Sequence, residues 1–311
     1  MLSTLFVVLP VFALIFAGWL VRRVGVLGPH ATTELSRFVV HLALPALLFD
    51  IVAHARWADL WRPGFVGAFG LGAGLTFVLA VAARLPRVRS LGDAVIDGLN
   101  AGYANTGFLG FPLVLAALGR DAMGPTLVAT ILTVCVLFAV AIVLIEASQQ
   151  AGTPPARLAL KVGRSVLGNP LLVAPALGTL VPLLGPGLPV PAESFLTLLG
   201  GAASPCALVA LGLFLAEKRT AAAADHGSTA LLVGFKLFLQ PAVTWILATT
   251  VFGLSPTLTQ TAVLLAALPT GTGPFMLAEL YRRDASITSS VVLVSTVASV
   301  LTLTGVLALS S

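Results

Sequence analysis

Long apolar runs follow one another along almost the whole chain, and this pattern restricts the available folds more than any other feature. A helix that crosses the roughly 30 Å hydrocarbon core of a bilayer needs about 20 mostly apolar residues. Ten such runs, joined by short connections, lie at residues 2–21, 36–54, 64–83, 94–118, 124–147, 166–184, 194–216, 230–252, 257–281 and 286–309. The sequence therefore predicts an all-α polytopic membrane protein with ten transmembrane helices.

Charged residues are too few to cover a surface that faces water. Only 9% of the 311 residues are Asp, Glu, Lys or Arg, whereas a soluble domain carries about 25%. This excludes a cytoplasmic enzyme, a secreted domain and a nucleic-acid-binding protein, and it makes the lipid bilayer the expected surrounding. Cys135 and Cys206 lie in apolar runs without metal-binding or redox spacing, so we expect two buried thiols and no metal.

The basic residues predict which loops face the cytoplasm. Thirteen of the 17 fall in loops on one side, at Arg22, Arg23, Arg37, Arg84, Arg87, Arg89, Arg157, Lys161, Arg164, Lys218, Arg219, Arg282 and Arg283. The opposite side has only Arg56, Arg62 and Arg120. Because positively charged loops stay in the cytoplasm, we expect a multi-pass protein of the cell inner membrane with both termini outside. The first run has no basic residue before it, which argues against a cleavable signal peptide.

Three short motifs recur at nearly constant spacing and suggest an internal repeat. Pro45 in the first half has a counterpart in Pro205 in the second, and the Asn105–Gly107 string has one in Pro269–Gly271. Val8-Leu9-Pro10 is matched by Val173-Ala174-Pro175 at almost the same separation. Each half would contain five helices, an odd number, so the second half must enter the membrane from the other face. We read Pro45 and Pro205 as helix-break or packing residues.

The expected organisation follows from that repeat. Residues 1–147 form the first five-helix repeat, 148–165 a short cytoplasmic linker, and 166–311 the second, inverted repeat. Two halves of opposite orientation can expose one shared site to either side of the membrane in turn.

The fourth and ninth spans each contain a stretch that is poorly suited to a continuous helix. Glycine costs about 1 kcal/mol and proline about 3 kcal/mol within a helix. The candidate substrate-binding residues at the two breaks are Asn105, Thr106, Gly107, Gly110 and Pro112, together with Pro269, Thr270, Gly271, Thr272 and Gly273. Interrupted helices expose amides that attract anions and carbonyls that attract cations. The alternative is a pair of simple proline kinks with packing glycines.

The first break and several strings in other spans carry a resemblance to a known family. The strings Leu44–Phe49 and Asn105–Pro112, the pair Asn169-Pro170, and Lys236 with Pro241 resemble the auxin efflux carriers, bacterial relatives of the plant PIN-formed carriers. The resemblance implies two inverted five-helix repeats whose helices four and nine cross at the site, as in bile-acid symporters. It also implies transport of a small organic anion such as an auxin-like acid, malonate or malate. The long central loop of many plant members is absent.

Ionisable residues inside apolar spans are candidates for coupling or support. Lys236 and Asp97 lie on the predicted cytoplasmic side of spans eight and four, so a Lys–Asp pair with proton coupling at Asp97 is one interpretation. The alternative is that Lys236 extends to the interface while Asp97 caps a helix there. Glu279 and His41 are weaker candidates: an interfacial pair with Arg282 or Arg283 is the simpler explanation of Glu279, and helix packing is the simpler explanation of His41.

A secondary transporter without cofactors is the function that these features favour. The sequence contains neither a Walker-type nucleotide motif nor the usual hydrolase motifs, so we expect no ATP hydrolysis and no enzymatic activity. A sodium-coupled symporter of the same fold and a membrane sensor without transport remain alternatives. The substrate, the direction, the coupling ion and the choice between monomer and homodimer stay open.

Overall fold

The computed structural model describes residues 2–54, 62–149, 167–185, 187–216 and 225–309, together with Arg157 and Arg164. Helices make up almost all of these ranges, and the one β pairing within them is an isolated bridge between Ala104 and Thr270. The predicted all-α class is confirmed. The basic residues Arg56, Lys161, Lys218 and Arg219, and most of the predicted linker, lie outside the described residues.

The described ranges contain ten helical segments, two of which are interrupted. They are α1 Leu2–Arg23, α2 Ala31–Ala53, α3 Pro63–Arg87, α4a Leu91–Gly102, α4b Thr106–Leu118, α5 Arg120–Gln149, α6 Pro170–Leu184, α7 Val190–Ala216, α8 His226–Val251, α9a Pro256–Ala266, α9b Gly273–Leu280 and α10 Ser286–Leu309. Six of them, α2, α3, α5, α7, α8 and α10, are long and apolar enough to cross a membrane, and α4b and α6 are shorter apolar helices. This supports a multi-pass membrane protein, while ten crossings in two inverted repeats stay a prediction.

Local capping determines where several helices begin. Side-chain oxygens at four N-caps accept a hydrogen bond from an amide two or three residues later: Ser90 from Asp93 (3.2 Å), Asn169 from Leu171 (3.0 Å), Asp225 from Ser228 (2.9 Å) and Ser255 from Leu258 (3.4 Å). These bonds satisfy amides that have no intrahelical acceptor. Helices α2 and α8 start earlier than the apolar runs predicted, because their first turns are polar and hydropathy alone does not detect them.

The bundle is apolar outside and partly polar inside, as a bilayer requires. On α3, Leu71, Leu75, Val78 and Leu79 have exposed fractions between 46% and 57%. In contrast, Thr126, Thr130 and Thr133 of α5 are fully buried, and each donates to the carbonyl four residues earlier at 2.8 Å. Such internal bonds satisfy hydroxyl groups where no water is available.

The helices form two bundles that pack against each other. Segments α1, α2, α6 and α7 make the four-segment bundle, and α3, α4, α5, α8, α9 and α10 make the six-segment bundle. Small residues let α1 and α7 approach closely, because a Cβ atom at Gly212 would lie 2.0 Å from the carbonyl oxygen of Ile15, and one at Gly18 would lie 2.2 Å from that of Val209. Each bundle contains segments from both predicted repeats.

Candidate functional site

The interruptions of α4 and α9 lie against each other, as the resemblance implied. The amide of Asn105 donates to the carbonyl of Pro269 at 2.9 Å, and the amide of Gly271 donates to the carbonyl of Tyr103 at 3.1 Å. Non-helical backbone at bilayer depth needs internal partners because lipid offers none. The two breaks therefore supply each other's hydrogen bonds and create a crossing of four half-helices.

Thr270 strengthens this crossing. Its side chain is fully buried, and its Oγ1 donates to the carbonyl of Asn100 near the end of α4a at 2.7 Å. Its amide donates to Oγ of Ser295 on α10 at 3.1 Å. Thr270 thus satisfies one of the last carbonyls of α4a and fixes the position of the second break, which is a structural task.

The side chains of Lys236 and Gln240 on α8 connect the C-terminal ends of the half-helices α4a and α9a. Lys236 is fully buried, and its Nζ donates to Oε1 of Gln240 at 2.5 Å and to the carbonyl of Ala266 at 2.7 Å. Nε2 of Gln240 donates to the carbonyl of Gly102 at 3.2 Å. Since Ala266 and Gly102 end α9a and α4a, the two side chains bind the carbonyl ends that the breaks leave free.

The interpretation of a Lys236–Asp97 pair is wrong. Asp97 accepts a hydrogen bond from Nε of Arg84 at 2.7 Å, and both side chains are buried. Arg84 also contacts Ser228, and its Nη1 lies 3.7 Å from Asp225 at the start of α8. Hydrogen bonds from the side chain and the amide of Ser228 lower the pKa of Asp225. The sequence predicted similar depths in the membrane for Asp97 and Lys236. Only the packing of the helices shows that the cation beside Asp97 is Arg84 of α3.

A small cavity, which we call the crossing cavity, lies where the two bundles meet the break residues. It has a volume of about 50 Å³, and its lining residues come from five segments: Val39, Leu44, Leu47 and Ile51 of α2, Tyr103, Ala104, Asn105, Gly107 and Phe108 of α4, Thr130 and Val134 of α5, Ala203, Ser204 and Ala207 of α7, and Thr272, Gly273 and Met276 of α9. None of these lining residues carries a charged side chain. Four of the ten predicted substrate-binding residues, Asn105, Gly107, Thr272 and Gly273, are among them.

The other six lie around the cavity without lining it. Thr106 is buried, Gly110 packs near Leu265 and Leu268, and Pro112 is exposed at the start of the regular part of α4b. Pro269, Thr270 and Gly271 form the paired backbone of the second break. These three residues shape the crossing, whereas the lining residues can touch a ligand.

Two helix N-termini converge on the crossing cavity. The half-helices α4b and α9b begin at Thr106 and Gly273, directly beside the lining residues Gly107 and Thr272. The first amides of a helix have no intrahelical acceptor, and the helix dipole places partial positive charge there. An uncharged cavity between two such ends favours a small anion.

Tyr103 is a cavity residue that the sequence analysis missed. It is 6% exposed, packs at a tilt on Phe138 with ring centroids 5.7 Å apart, and lines the cavity. Gly271 and Gly273 leave room for its ring, since a Cβ at Gly273 would lie 2.5 Å from Cζ of Tyr103. The sequence did contain a signal for this role, because Tyr103 is an aromatic residue within the break, between Gly102 and Asn105.

Pro45 and Pro205 mark matching irregularities beside the cavity. Pro45 follows a π-helical turn at Val39–Ala43, and Pro205 follows a turn at Ala202. In both helices the residues one before and two after the proline line the crossing cavity: Leu44 and Leu47 on α2, Ser204 and Ala207 on α7. The two prolines that the predicted repeat matches therefore have the same spacing to cavity-lining residues on their helices.

His41 and Glu279 lie away from the crossing, at a larger cavity of about 480 Å³ that we call the mouth cavity. Its lining residues are Thr33, Ser36, Arg37, Val40 and His41 of α2 with Glu279, Leu280, Arg282 and Arg283 at the end of α9b. His41 is exposed, and its Nδ1 lies 3.1 Å from the carbonyl oxygen of Arg37. Neither side chain lines the crossing cavity.

Comparisons with known proteins point to transport. A family model described as "Membrane transport protein" matches residues 4–307. A protein of Rhizobium meliloti (strain 1021) named "Putative malonate transporter" is 33% identical over 304 residues, which cover 96% of this chain and 93% of the relative. A protein of Methanothermobacter thermautotrophicus named "Uncharacterized transporter" is 26% identical over 303 residues, covering 95% of both chains.

Proposed function

The chain belongs to the membrane transport protein family of the auxin efflux carriers, and from this premise we propose that it is a secondary transporter or uniporter of a small organic anion. The observation that carries the proposal is the convergence of the α4b and α9b N-termini on one uncharged cavity. Their amides provide donors for a carboxylate, and no lining carboxylate repels it.

We assign a malonate-type dicarboxylate as the first substrate to test. The name of the Rhizobium relative supports this choice, and the two opposed helix N-termini offer one donor group for each carboxylate. Malate and auxin-like acids, which carry one or more carboxylates, are the next candidates. Asn105 and Thr272 would add neutral hydrogen bonds from the two sides of the site.

Alternating access would require the two bundles to move relative to each other. A cavity of about 50 Å³ holds only a few water molecules, so a dicarboxylate needs more room than this conformation provides. The cavity lies between α2 and α7 of one bundle and α4, α5 and α9 of the other. Separation of these surfaces would enlarge the site while the hydrogen-bonded crossing stays intact.

The inverted repeat is part of the same proposal. The α2 and α7 residues that flank Pro45 and Pro205 both line the cavity, and the two breaks pair directly with each other beside it. A site built from equivalent pieces of two opposed halves can open toward either side with similar contacts. Cytoplasmic basic loops and outward-facing termini complete this proposed arrangement in the cell membrane.

The central test is malonate uptake by the purified protein in liposomes. We expect radiolabelled malonate to enter, with strong loss in Asn105→Leu and Thr272→Val because both remove polar groups from the cavity. Thr250→Val is the matched control, since Thr250 is exposed on α8, does not line the cavity, and its Oγ1 bonds to the carbonyl of Ile246 within its own helix at 2.6 Å. Wild-type uptake by both cavity variants would exclude the site.

The same vesicles separate the alternatives. Replacing external sodium by potassium abolishes uptake by a sodium-coupled symporter, and an imposed pH gradient changes uptake only if a proton is coupled. Malonate binding without any flux would instead indicate a sensor. Uptake of an indole carboxylate but not of malonate would move the substrate class to auxin-like acids.

A further inference from the structure

The mouth cavity is large enough for a small-molecule ligand and opens at one end of the bundle. Its volume of about 480 Å³ lies within the range of about 300–1,000 Å³ that ligand sites occupy. It is formed between the first turns of α2 and the residues that end α9b, Glu279 to Arg283. Both helix ends adjoin loops that the distribution of basic residues assigns to the cytoplasm.

Arginine side chains are the main cationic groups of the mouth cavity. Three arginines, Arg37, Arg282 and Arg283, line it together with the carboxylate of Glu279. Arg37 also pairs with Glu34 at 3.0 Å and Arg283 with Asp93 at 2.5 Å, so part of this positive charge is balanced by carboxylates beside the cavity. Guanidinium groups also bind carboxylates through paired hydrogen bonds.

Two buried polar atoms of the lining have no protein partner among the described residues. Oγ of Ser36, a residue that is 4% exposed, and Nε of Arg283 make no hydrogen bond. Buried polar groups are nearly always paired, and an unpaired one costs about 1–3 kcal/mol. A bound anion would accept from Oγ of Ser36, so this unpaired donor in the lining is independent evidence for a ligand.

Arg283 is held in place for this task. Its Nη1 donates to Oδ1 of Asp93 at 2.5 Å and to Oγ of Ser90 at 2.6 Å, both at the start of α4a. These contacts hold the guanidinium against the first turn of α4a, where it packs beside Gly92. A pre-oriented donor loses little entropy when a ligand binds.

Arg282 occupies a backbone position where glycine is the usual residue. The amides of Arg282 and Arg283 donate to the carbonyls of Glu279 (3.1 Å) and Ala278 (2.8 Å), which is the Schellman pattern that ends a helix. Arg282 has a φ of 52°, in the left-handed region. A side chain at this position is unfavourable for local stability, so its guanidinium at the cavity requires another explanation.

The mouth cavity and the crossing cavity lie along the same two helices. The first is lined by α2 up to His41 and by α9b from Glu279, and the second by α2 from Val39 and by α9b up to Met276. Val39, Val40 and Met276 are each at most 2% exposed and separate the two spaces. About one helical turn of each helix therefore separates the mouth cavity from the crossing cavity.

We propose that the mouth cavity is a second anion site, which binds the carboxylate substrate through Ser36, Arg37, Arg282 and Arg283 before it enters the crossing cavity. This inference rests on the proposed function for the identity of its ligand. It predicts a site that binds carboxylates more weakly at high salt, because the arginines contribute mainly through charge. It also predicts that substrate capture, and not the maximal rate, depends on these side chains.

Equilibrium binding of malonate to the purified protein at low ionic strength tests the site. In Asn105→Leu, which disables the crossing cavity, we expect malonate binding to remain. Adding Arg282→Gly or Ser36→Ala to that variant weakens binding at least about threefold, as loss of one charged or polar contact predicts. Arg282→Gly also places glycine where the backbone prefers it, so unfolding does not explain the loss.

Arg87→Gln is the matched control, since Arg87 is an exposed arginine at the same end of the bundle that bonds the carbonyl of Ala83 at 2.6 Å and does not line the cavity. In liposomes, Arg282→Gly raises KM for malonate with little change in kcat, whereas Arg87→Gln changes neither. Equal behaviour of the two variants overturns the mouth site, whether or not malonate is transported.

The outcomes also separate this inference from the proposed function. Malonate that binds the wild type in an Arg282-dependent manner but is never transported supports the mouth site and contradicts the transport proposal. Inorganic phosphate and dihexanoyl phosphatidylglycerol serve as competing probes. If either binds with the same dependence on Arg282 while malonate does not, the carboxylate assignment is overturned in favour of phosphate or a lipid headgroup.

Discussion

The amide nitrogen of Asn105 lies 2.9 Å from the carbonyl oxygen of Pro269, and this hydrogen bond joins the two interrupted helices at their breaks. Together with the bond from Gly271 to Tyr103, it fixes the starts of α4b and α9b relative to each other. The two helix N-termini are therefore held in one arrangement, which the proposed anion site requires. Under the proposed function, the motion that admits a substrate occurs where α2 and α7 face the crossing.

Replacing Gly273 by alanine should displace Tyr103 and impair transport. The new Cβ would lie 2.5 Å from Cζ and 2.7 Å from Oη of Tyr103, distances well below van der Waals contact, so the ring must move out of the cavity lining. We expect malonate uptake to fall at least about tenfold, because small displacements at a binding site have large effects on rate.

Gly74→Ala is the control for this substitution. A Cβ at Gly74, within α3, meets nothing within 4 Å, and alanine favours a helix by about 1 kcal/mol over glycine. We expect normal uptake and equal or higher thermal stability there. A Gly273→Ala protein that transports normally would show that the Tyr103 ring position is unimportant.

Thr270→Val should destabilise the protein through the crossing. The substitution keeps the shape of the side chain but removes the donor to the carbonyl of Asn100, which then stays buried without its partner. We expect the free energy of unfolding to fall by about 1–2 kcal/mol, measured as a lower melting temperature in detergent. The same change at exposed Thr249, whose Oγ1 bonds within its own helix at 2.9 Å, should have almost no effect.

Lys236 and Gln240 should behave as one unit. Lys236→Met removes donors from the carbonyl of Ala266 and from Gln240, and Gln240→Leu removes the donor to Gly102. We expect each single variant to lower both the melting temperature and malonate uptake. The double variant should lose less than the sum of the two, because the partners share one network. Strict additivity in this cycle would contradict the shared role.

The buried pair of Arg84 and Asp97 should be sensitive to loss of one partner. Asp97→Asn leaves Arg84, which is 2% exposed, without its carboxylate, and we expect a cost of about 3 kcal/mol in unfolding free energy. Asp93→Asn is a milder comparison, because the side chains of the Arg283–Asp93 pair are 19% and 32% exposed. Replacing both members of the buried pair, as Arg84→Met with Asp97→Leu, should recover part of the loss. A melting temperature unchanged in Asp97→Asn would show that the pair is not structural.

Some features of the site could be predicted from local sequence. The prolines and glycines of spans four and nine identified both breaks, since these residues disfavour a helix wherever they occur. Asn105, Gly107, Thr272 and Gly273 were also identified as candidate ligand-binding residues, and the structure places them on the cavity. The family resemblance implied that the two breaks would meet, and they do so through Ala104 and Thr270.

Other features depended on which helices become neighbours. Asp97 pairs with Arg84 from the preceding helix, and Lys236 bonds to Gln240 and Ala266. Tyr103 lies in the cavity because Gly271 and Gly273 leave space for its ring. Apolar helices carry weak periodicity, so their rotation cannot be read from hydropathy, and rotation decides which polar side chains meet.

The sequence by itself determined that this chain is an all-α membrane protein with two interrupted helices, because low charge, apolar length and helix-breaking residues act locally. Only the tertiary structure decided that Thr270 holds the crossing while Thr272 lines the crossing cavity, and that Ser36 and Arg283 both line the mouth cavity. Those outcomes depend on contacts between helices distant in sequence, which form only when the two bundles pack.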